Sequence, residues 1–455
     1  MESELRDRSD LTEGTVWLKL LVFFLPIAAG TCIQQLYNAV DGLVVGRYVG
    51  TVALAAVGGS TSQIINLIIG FFVSLTAGAS VVIAQIYGAG HREDVSRASG
   101  CAVLFCAVAG IALAVFGIVF APVMLRVMKT PADTFPGALL YLRIYFGGVP
   151  FVLILNMESN MLRAVGNSMD PFLYMVVGCV SNIILDFAFV LFFGWGIAGV
   201  AIATVLAQIV NMLLLTRNLL KTEKAYRLNT SDLKIHRLYL KSMMHLGIPS
   251  GLQSSMYAVS NMIIQIGFNT LGTVVVASWA MSSKVDGLYW GISNALGAAV
   301  TSFAGQNMGA GKPERIRQCA RQGSLMALLI SVVLSSALML LGRPVLGILT
   351  EDEDLIDTTY LVMKYIVPYY FTWSAIEVLS AVMRGSGDAV KPVVIIGLTI
   401  CLLRIVWIVT VFRSVGSLMI LCLSYPISWV VCCICLMVRY LRGSWLREPG
   451  KRIYN

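Results

Sequence analysis

A single carboxylate interrupts the first apolar stretch of this chain, within the sequence LYNAVDGLVVG. The segment 20–40 contains no charged residue, and the chain returns to apolar residues directly after Asp41. A carboxylate inside a membrane span costs roughly 2.5–3.5 kcal/mol even on a lenient insertion scale. Gln34, Tyr37 and Asp41 recur at helical spacing, so they share one helix face.

Two further polar stripes follow the same spacing. Asn182 and Asp186 are four residues apart, and Thr204 and Gln208 repeat that interval. Because a bilayer offers no water to such groups, each stripe should face the protein interior. Two carboxylates in such a space titrate as a coupled unit, which can hold a proton or coordinate Na⁺ together with amide and hydroxyl oxygens. The alternative is that the acids are hydrogen-bonded structural residues.

Composition places these stripes in a membrane. Of 455 residues, 58% are hydrophobic and 13% are charged, and the mean hydropathy is +0.81. Soluble domains carry about 25% charged residues, so the chain is predicted to be a polytopic helical membrane protein. The ten cysteines lie mostly in apolar stretches without a CxxC pair, and we interpret them as small buried hydrophobic residues.

The apolar stretches predict an all-α fold of twelve transmembrane helices in two pseudo-symmetric six-helix bundles. The predicted spans are 17–44, 52–86, 95–121, 135–158, 170–193, 197–219, 242–270, 275–307, 317–341, 356–383, 390–413 and 416–440. The predicted parts are an N-terminal tail (1–16), an N-terminal lobe (17–219), an inter-lobe linker (220–241), a C-terminal lobe (242–440) and a C-terminal tail (441–455).

The distribution of basic residues predicts the orientation. The tails, the linker and the loops on their side hold 24 Lys and Arg residues, whereas the opposite loops hold five. The positive-inside rule then places both termini in the cytoplasm. We expect the protein in the inner (plasma) membrane. Cationic loops facing an anionic leaflet also explain the net charge of +9 without any nucleic acid.

The chain contains an internal duplication. MLRAVGNSMDP at 161–171 recurs as VMRGSGDAVKP at 382–392, and AQIYGAGHRED at 84–94 recurs at the same separation as GQNMGAGKPER at 305–315. We call this constant separation, for example from Arg163 to Arg384, the repeat offset. Ligand sites of such duplicated carriers lie near the membrane centre between the halves. The GAG loops match neither a Walker nor a dinucleotide fingerprint, and we interpret them as turns that end helices.

The sequence resembles the multidrug and toxic compound extrusion (MATE) transporters, and within them the bacterial DinF-type branch. The resemblance rests on the duplicated halves, the R-x-x-G-[ND] and Q-x-x-GAG-[HK]-x-E loops, and the first-span sequence QQLYNAVDGLVVGRYVG, and it covers about 20–442. It implies two lobes with a substrate cavity between them. It also implies efflux of organic, often cationic, compounds in exchange for inward H⁺ or Na⁺.

The resemblance also implies a coupling site. In that branch, positions matching Asp41, Asn182, Asp186 and Thr204 gather in the N-terminal lobe and take up the coupling cation. These four residues could bind Na⁺, although we favour H⁺. The substrate-cavity candidates are Gln34, Tyr37, Asn156, Tyr289 and Trp290. Pro26 removes a backbone hydrogen bond within the first span, which makes it a hinge candidate, with a static kink as the alternative.

The second half is not chemically equivalent to the first. At the repeat offset, Leu403 and Trp407 occupy the positions of the polar pair on the fifth span. Asp286, Glu377 and Arg404 could contact substrate or form structural ion pairs, and we favour the structural role. Coupling is therefore predicted in the N-terminal lobe only.

Two other functions remain open at this point. A lipid-linked oligosaccharide flippase of the same superfamily is the alternative, and a membrane-embedded enzyme is a remote one. Only four basic residues lie more than five residues inside a predicted span, at Arg143, Lys284, Lys364 and Arg404, which disfavours the flippase. Neither HExxH nor GxSxG occurs, which disfavours an enzyme. We expect small organic substrates, the lipid bilayer as surroundings, no nucleic acid, a monomer, and no cofactor apart from the coupling ion, H⁺ or Na⁺.

Overall fold

The computed structural model describes residues 10–224 and 226–446. The ends of the two predicted tails, 1–9 and 447–455, lie outside the described residues. The first six long helices are α1 (Val16–Val49), α2 (Thr51–Gly88), α3 (Arg92–Val127), α4 (Phe135–Ala164), α5 (Met169–Phe192) and α6 (Gly196–Lys221). The second six are α7 (Arg237–Asn269), α8 (Thr273–Gly309), α9 (Pro313–Ile348), α10 (Glu353–Gly385), α11 (Val390–Val415) and α12 (Leu418–Leu441).

Short 3₁₀ turns lie at Thr230–Asp232 and Ser444–Leu446. The described part of the chain contains no β-strand. The all-α architecture of twelve long helices is confirmed.

Two helices differ from the others in polarity. Of the described helices, ten are long and apolar enough to cross a membrane. The other two, α7 and α8, have 33 and 37 residues and are long enough, but they are more polar. Their polar residues, such as Gln253 and Asn261 on α7 and Ser283 and Asn294 on α8, line an internal cavity. The lower apolarity of α7 and α8 therefore includes polar residues that face the cavity.

Twelve crossings place both described ends of the chain on one side, here called the terminal face; the opposite side is called the far face. The turns after α2 and α8 both lie at the terminal face. Gly90 and Gly311, which are separated by the repeat offset, follow these helices with φ of +80° and +67°. Glycine adopts this left-handed conformation without strain, which agrees with the interpretation of the GAG loops as turns.

The first parts of α1 and α7 each pack in the main hydrophobic core of the other half. Leu20 and Ile27 of α1 pack in the core of the second half, whereas Tyr239 and Met243 of α7 pack in the core of the first half. The predicted lobe limits at 17 and 242 therefore divide the sequence, but the start of each lobe lies in the core of the other. α1 consequently contacts both halves of the molecule.

Candidate functional site

Asp41 on α1 and Asp186 on α5 face each other inside the first half. Their carboxyl groups lie close enough to interact directly. Asp186 and Asn182, one turn apart on α5, are 0% and 1% exposed. Thr204 on α6 is buried and lies beside the side chain of Tyr37. These five residues are here called the carboxylate cluster, and they include all four predicted coupling residues.

Most buried polar atoms of the carboxylate cluster have no hydrogen-bond partner among the described residues. Within the described residues, both oxygens of Asp186, Oδ1 of Asp41 and both polar atoms of Asn182 have no hydrogen-bond partner. The Thr204 hydroxyl donates to the Val200 carbonyl of its own helix at 3.0 Å. Two ionised carboxylates can only accept hydrogen bonds, so a bond between them requires a proton. A shared proton or a hard cation would satisfy this arrangement.

Both acids precede a widened turn of their helix. α1 changes to a π-helical turn at Val45–Val49, and α5 does so at Ala188–Phe192. The widened bond on α1 runs from the Gly50 N–H to the Val45 carbonyl at 3.0 Å, so the wider turn begins one helical turn after Asp41. Turns of this kind are rare and occur often at functional sites.

Two tyrosines on α4 complete the surroundings of the cluster, and the sequence did not reveal them. Tyr141 and Tyr145 stack with 6.2 Å between their ring centroids. Tyr141 lies close to both Asp41 and Asp186, and Tyr145 lies close to Tyr37. An aromatic pair four residues apart in an apolar helix is usual for packing, so the spacing alone carried no functional signal.

A third buried acid in the first half was also missed. Glu158 on α4 is 0% exposed, and its Oε1 accepts a hydrogen bond from the Thr216 hydroxyl at 2.5 Å. Its Oε2 has no partner among the described residues. The predicted fourth span ended at this residue, whereas α4 continues to Ala164.

A cavity of about 1080 Å³ lies between the two halves. Seven of the twelve helices contribute lining residues, namely α2, α4, α7, α8, α10, α11 and α12. The cavity extends from Arg163 and Arg384 near the terminal face to Gln63 and Gln265 toward the far face. The residues of the carboxylate cluster do not line it.

The predicted cavity residues differ in position. Trp290 lines the cavity. Tyr289 is 2% exposed and donates to the Tyr370 carbonyl at 2.7 Å, so it belongs to the core of the second half rather than to the lining. Gln34 is exposed on α1, and Asn156 donates to the carbonyl one turn before it at 2.8 Å; neither lines the cavity.

The hinge candidate, Pro26, is buried inside the α-helical part of α1. That helix continues without a break from Val16 to Val44. Bending at Pro26 therefore stays a prediction.

Five charged residues line the cavity, and three of them are arginines. Arg384 pairs with Glu377 at 3.2 Å. Asp286 accepts a hydrogen bond from the Ser282 hydroxyl at 3.3 Å. Arg163 and Arg404 make no ion pair with any described residue. The structural role predicted for Glu377 agrees with its ion pair, but Arg404 has no such partner.

Two glutamines close the cavity at the terminal face. Gln85 on α2 donates to the Gly385 carbonyl at 2.8 Å, and Gln306 on α8 donates to the Ala164 carbonyl at 2.8 Å. The two donors are separated by the repeat offset, and so are the two acceptors. A Cβ atom added at Gly309 would lie 1.9 Å from the backbone oxygen of Gln85, so the halves approach closely here. We call this contact the glutamine closure.

Comparison with known proteins agrees with these features. The MatE family model matches residues 26–188 and 249–410. The probable multidrug resistance protein YoeA of Bacillus subtilis (strain 168) is 30% identical over 392 residues, which cover 84% of each chain. The probable multidrug resistance protein YpnP of the same organism is 26% identical over 388 residues, which cover 85% of this chain and 86% of YpnP.

The fold is also that of solved transporters. A structure described as the outward-facing conformation of a multidrug resistance MATE family transporter of the MOP superfamily superposes with a TM-score of 0.88 at 22% identity. The superposition covers 96% of this chain and 98% of the other. With a family model that matches both halves, the chain belongs to the MatE family and is a multidrug-efflux transporter rather than an enzyme.

Proposed function

We propose that this transporter is an antiporter that exports organic compounds in exchange for inward H⁺, and that Asp41 and Asp186 carry the coupling ion. One observation carries the proposal: two carboxyl groups face each other without a donor from the described protein. Both cannot remain ionised in such a site at low cost. Two neighbouring carboxyl groups can share one proton, which is why H⁺ is favoured over Na⁺.

α1 offers a route from ion binding to conformational change. Its second half carries Asp41 in the carboxylate cluster, and its first half packs in the core of the other lobe through Leu20 and Ile27. Neutralising Asp41 removes the repulsion between α1 and α5. The charged and neutral states then favour different packings of the same helix, and the bound ion shifts the population between them.

The closed and open ends define which side of the membrane the cavity faces in this state. The glutamine closure blocks the terminal face, while the cavity extends toward the far face. If the terminal face is cytoplasmic, as the basic residues predict, this state is open to the outside. An inside-negative membrane potential adds about 2.3 kcal/mol per charge per 100 mV to cation entry.

Efflux from liposomes under separate gradients tests the proposal. Purified protein is reconstituted, and the release of ethidium and of 8-anilino-1-naphthalenesulfonate is followed under a pH gradient alone or a Na⁺ gradient alone. Using one cationic and one anionic dye makes the test independent of substrate charge. We expect release of at least one dye under the pH gradient and none under the Na⁺ gradient. Release driven by Na⁺ alone would refute H⁺ coupling, and no release under either gradient would refute antiport.

The flippase alternative gains one observation from the structure, since three arginines line the cavity. However, Glu377 neutralises Arg384, and four tryptophans share the same lining: Trp279, Trp290, Trp373 and Trp429. Such rings suit flat organic molecules better than a pyrophosphate head group. Transfer of a lipid-linked oligosaccharide between leaflets, without any gradient-driven dye release, would favour the flippase instead.

A further inference from the structure

We infer that the transported compounds include aromatic organic anions, which bind with the anionic group at Arg404 and the ring among the tryptophans around it. This inference rests on the proposed export function and assigns a substrate class to its cavity. It departs from the cationic substrates that the family resemblance implies.

Arg404 is held in place for such a role. The side chain is 4% exposed, and Nε donates to the Ser428 hydroxyl at 2.8 Å. The guanidinium carbon lies 4.1 Å from the ring centroid of Tyr425 and 5.7 Å from that of Trp429. Stacking on aromatic rings fixes the plane of the guanidinium without using its N–H groups. One planar cation thus remains oriented in the cavity wall.

The charge of Arg404 has no counter-ion in the described protein. Nη2 is buried and makes no hydrogen bond to any described residue. Neither acid that lines the same cavity forms an ion pair with Arg404. Glu377 pairs with Arg384, and Asp286 accepts a hydrogen bond from Ser282 and has no partner for Oδ1 among the described residues. A buried charge without a partner costs several kcal/mol. An incoming carboxylate or sulfonate would remove that cost, whereas an incoming cation would increase it.

The internal duplication explains a second unpaired cation. Arg163 is equivalent to Arg384 at the repeat offset, but the position equivalent to Glu377 is Asn156. The first half therefore keeps the arginine without the acid, and Nε of Arg163 has no partner among the described residues. With three arginines and two acids, the cavity lining has a formal surplus of one positive charge.

The rings beside Arg404 define the rest of the ligand. The Trp290 ring centroid lies 4.9 Å from that of Trp373 and 5.9 Å from that of Trp429. All three tryptophans line the cavity. A flat ring can stack against this surface while an attached acid forms a charge-assisted, two-pronged contact with the guanidinium. The ligand class is therefore an aromatic ring that carries a carboxylate or sulfonate.

A pair of dyes that differ only in charge tests the inference. The full chain in lipid nanodiscs is titrated with the anion 8-anilino-1-naphthalenesulfonate and with its neutral parent N-phenyl-1-naphthylamine, and empty nanodiscs are subtracted. We expect wild-type protein to bind the anion about tenfold or more tightly than the neutral dye, the scale of a hydrogen bond to a charged group. No ion gradient is involved, so the result does not depend on whether H⁺ antiport is correct.

Variants locate the effect at Arg404. Arg404→Gln should lose about tenfold of the affinity for the anion and keep that for the neutral dye, and Arg404→Lys should retain most of the preference. Arg413→Gln, an exposed site on the same helix, is the matched control and should bind both dyes like wild type.

Two results would overturn the inference: equal wild-type affinity for the two dyes, or an unchanged preference for the anion in Arg404→Gln. Unchanged binding of the neutral dye shows that a variant is folded. If Arg404→Gln binds neither dye, Arg404→Lys is used in its place. Equal affinity of Arg404→Lys for the anionic and the neutral dye would then also overturn the inference.

Discussion

Single residues give the two related halves different chemistry. The first half keeps Asp41 and Asp186 at positions where the second half, at the repeat offset, has Met262 and Trp407. The second half instead has Glu377 where the first half has Asn156. The two halves share the same arrangement of helices. The first half therefore holds two acids that face each other, and the second half holds an ion pair.

The ion pair of Glu377 and Arg384 leads to a prediction for stability. The two side chains are 13% and 18% exposed and lie 3.2 Å apart. Glu377→Gln leaves the guanidinium of Arg384 without a counter-ion, and breaking such a pair costs about 3–5 kcal/mol. We expect a clear drop in the thermal unfolding midpoint in detergent. The double variant Glu377→Gln/Arg384→Gln should recover much of it, and a double variant no more stable than the single one would contradict this account.

Helix ends, rather than helix centres, hold the halves together at the terminal face. The glutamine closure joins α2 to α10 and α8 to α4. The segment before α1 also reaches it, because the N–H of Leu11 donates to the Gln306 side chain at 3.2 Å. Opening this face must therefore break a symmetric pair of hydrogen bonds and displace the start of the chain.

A glycine substitution tests the closeness of this contact. Gly309→Ala would place Cβ 1.9 Å from the Gln85 carbonyl oxygen, so the helices must move apart, at a typical overpacking cost of about 1–3 kcal/mol. We expect a lower unfolding midpoint and a longer spin-label distance between the ends of α2 and α8. Gly147→Ala on α4 is the control, because its Cβ meets no atom within 4 Å, and it should not lower the midpoint. Equal behaviour of the two variants would refute the tight closure.

At the scale of the whole molecule, apolar length and the internal duplication were sufficient to predict the helices and their two halves. Observed helices run past several predicted ends; α3 begins at Arg92, where the prediction began at 95. Hydropathy falls at the first charged residues, but backbone hydrogen bonding continues beyond the membrane. Span limits predicted from hydropathy therefore mark where the chain leaves the lipid, and not where the helix ends.

The site was predictable only where polar spacing was regular. The spacing of four residues between Asn182 and Asp186 predicted that both lie on one face of a helix. Tyr289 and Trp290 show the limit, because neighbours on a helix point about 100° apart. Trp290 faces the cavity and Tyr289 faces the core, and no sequence pattern distinguishes these two directions. The packing of the first parts of α1 and α7 in the core of the other half had no sequence signal either.

The most direct test of ion coupling through the carboxylate cluster compares matched Asp→Asn variants in liposomes under a pH gradient. Asp41→Asn should abolish gradient-driven efflux, and Asp186→Asn should reduce it strongly, while both still bind dye in nanodiscs. Asp286→Asn, which changes a buried acid outside the cluster, should retain more efflux than either. Full efflux by Asp41→Asn, or a larger loss for Asp286→Asn than for Asp186→Asn, would contradict the account.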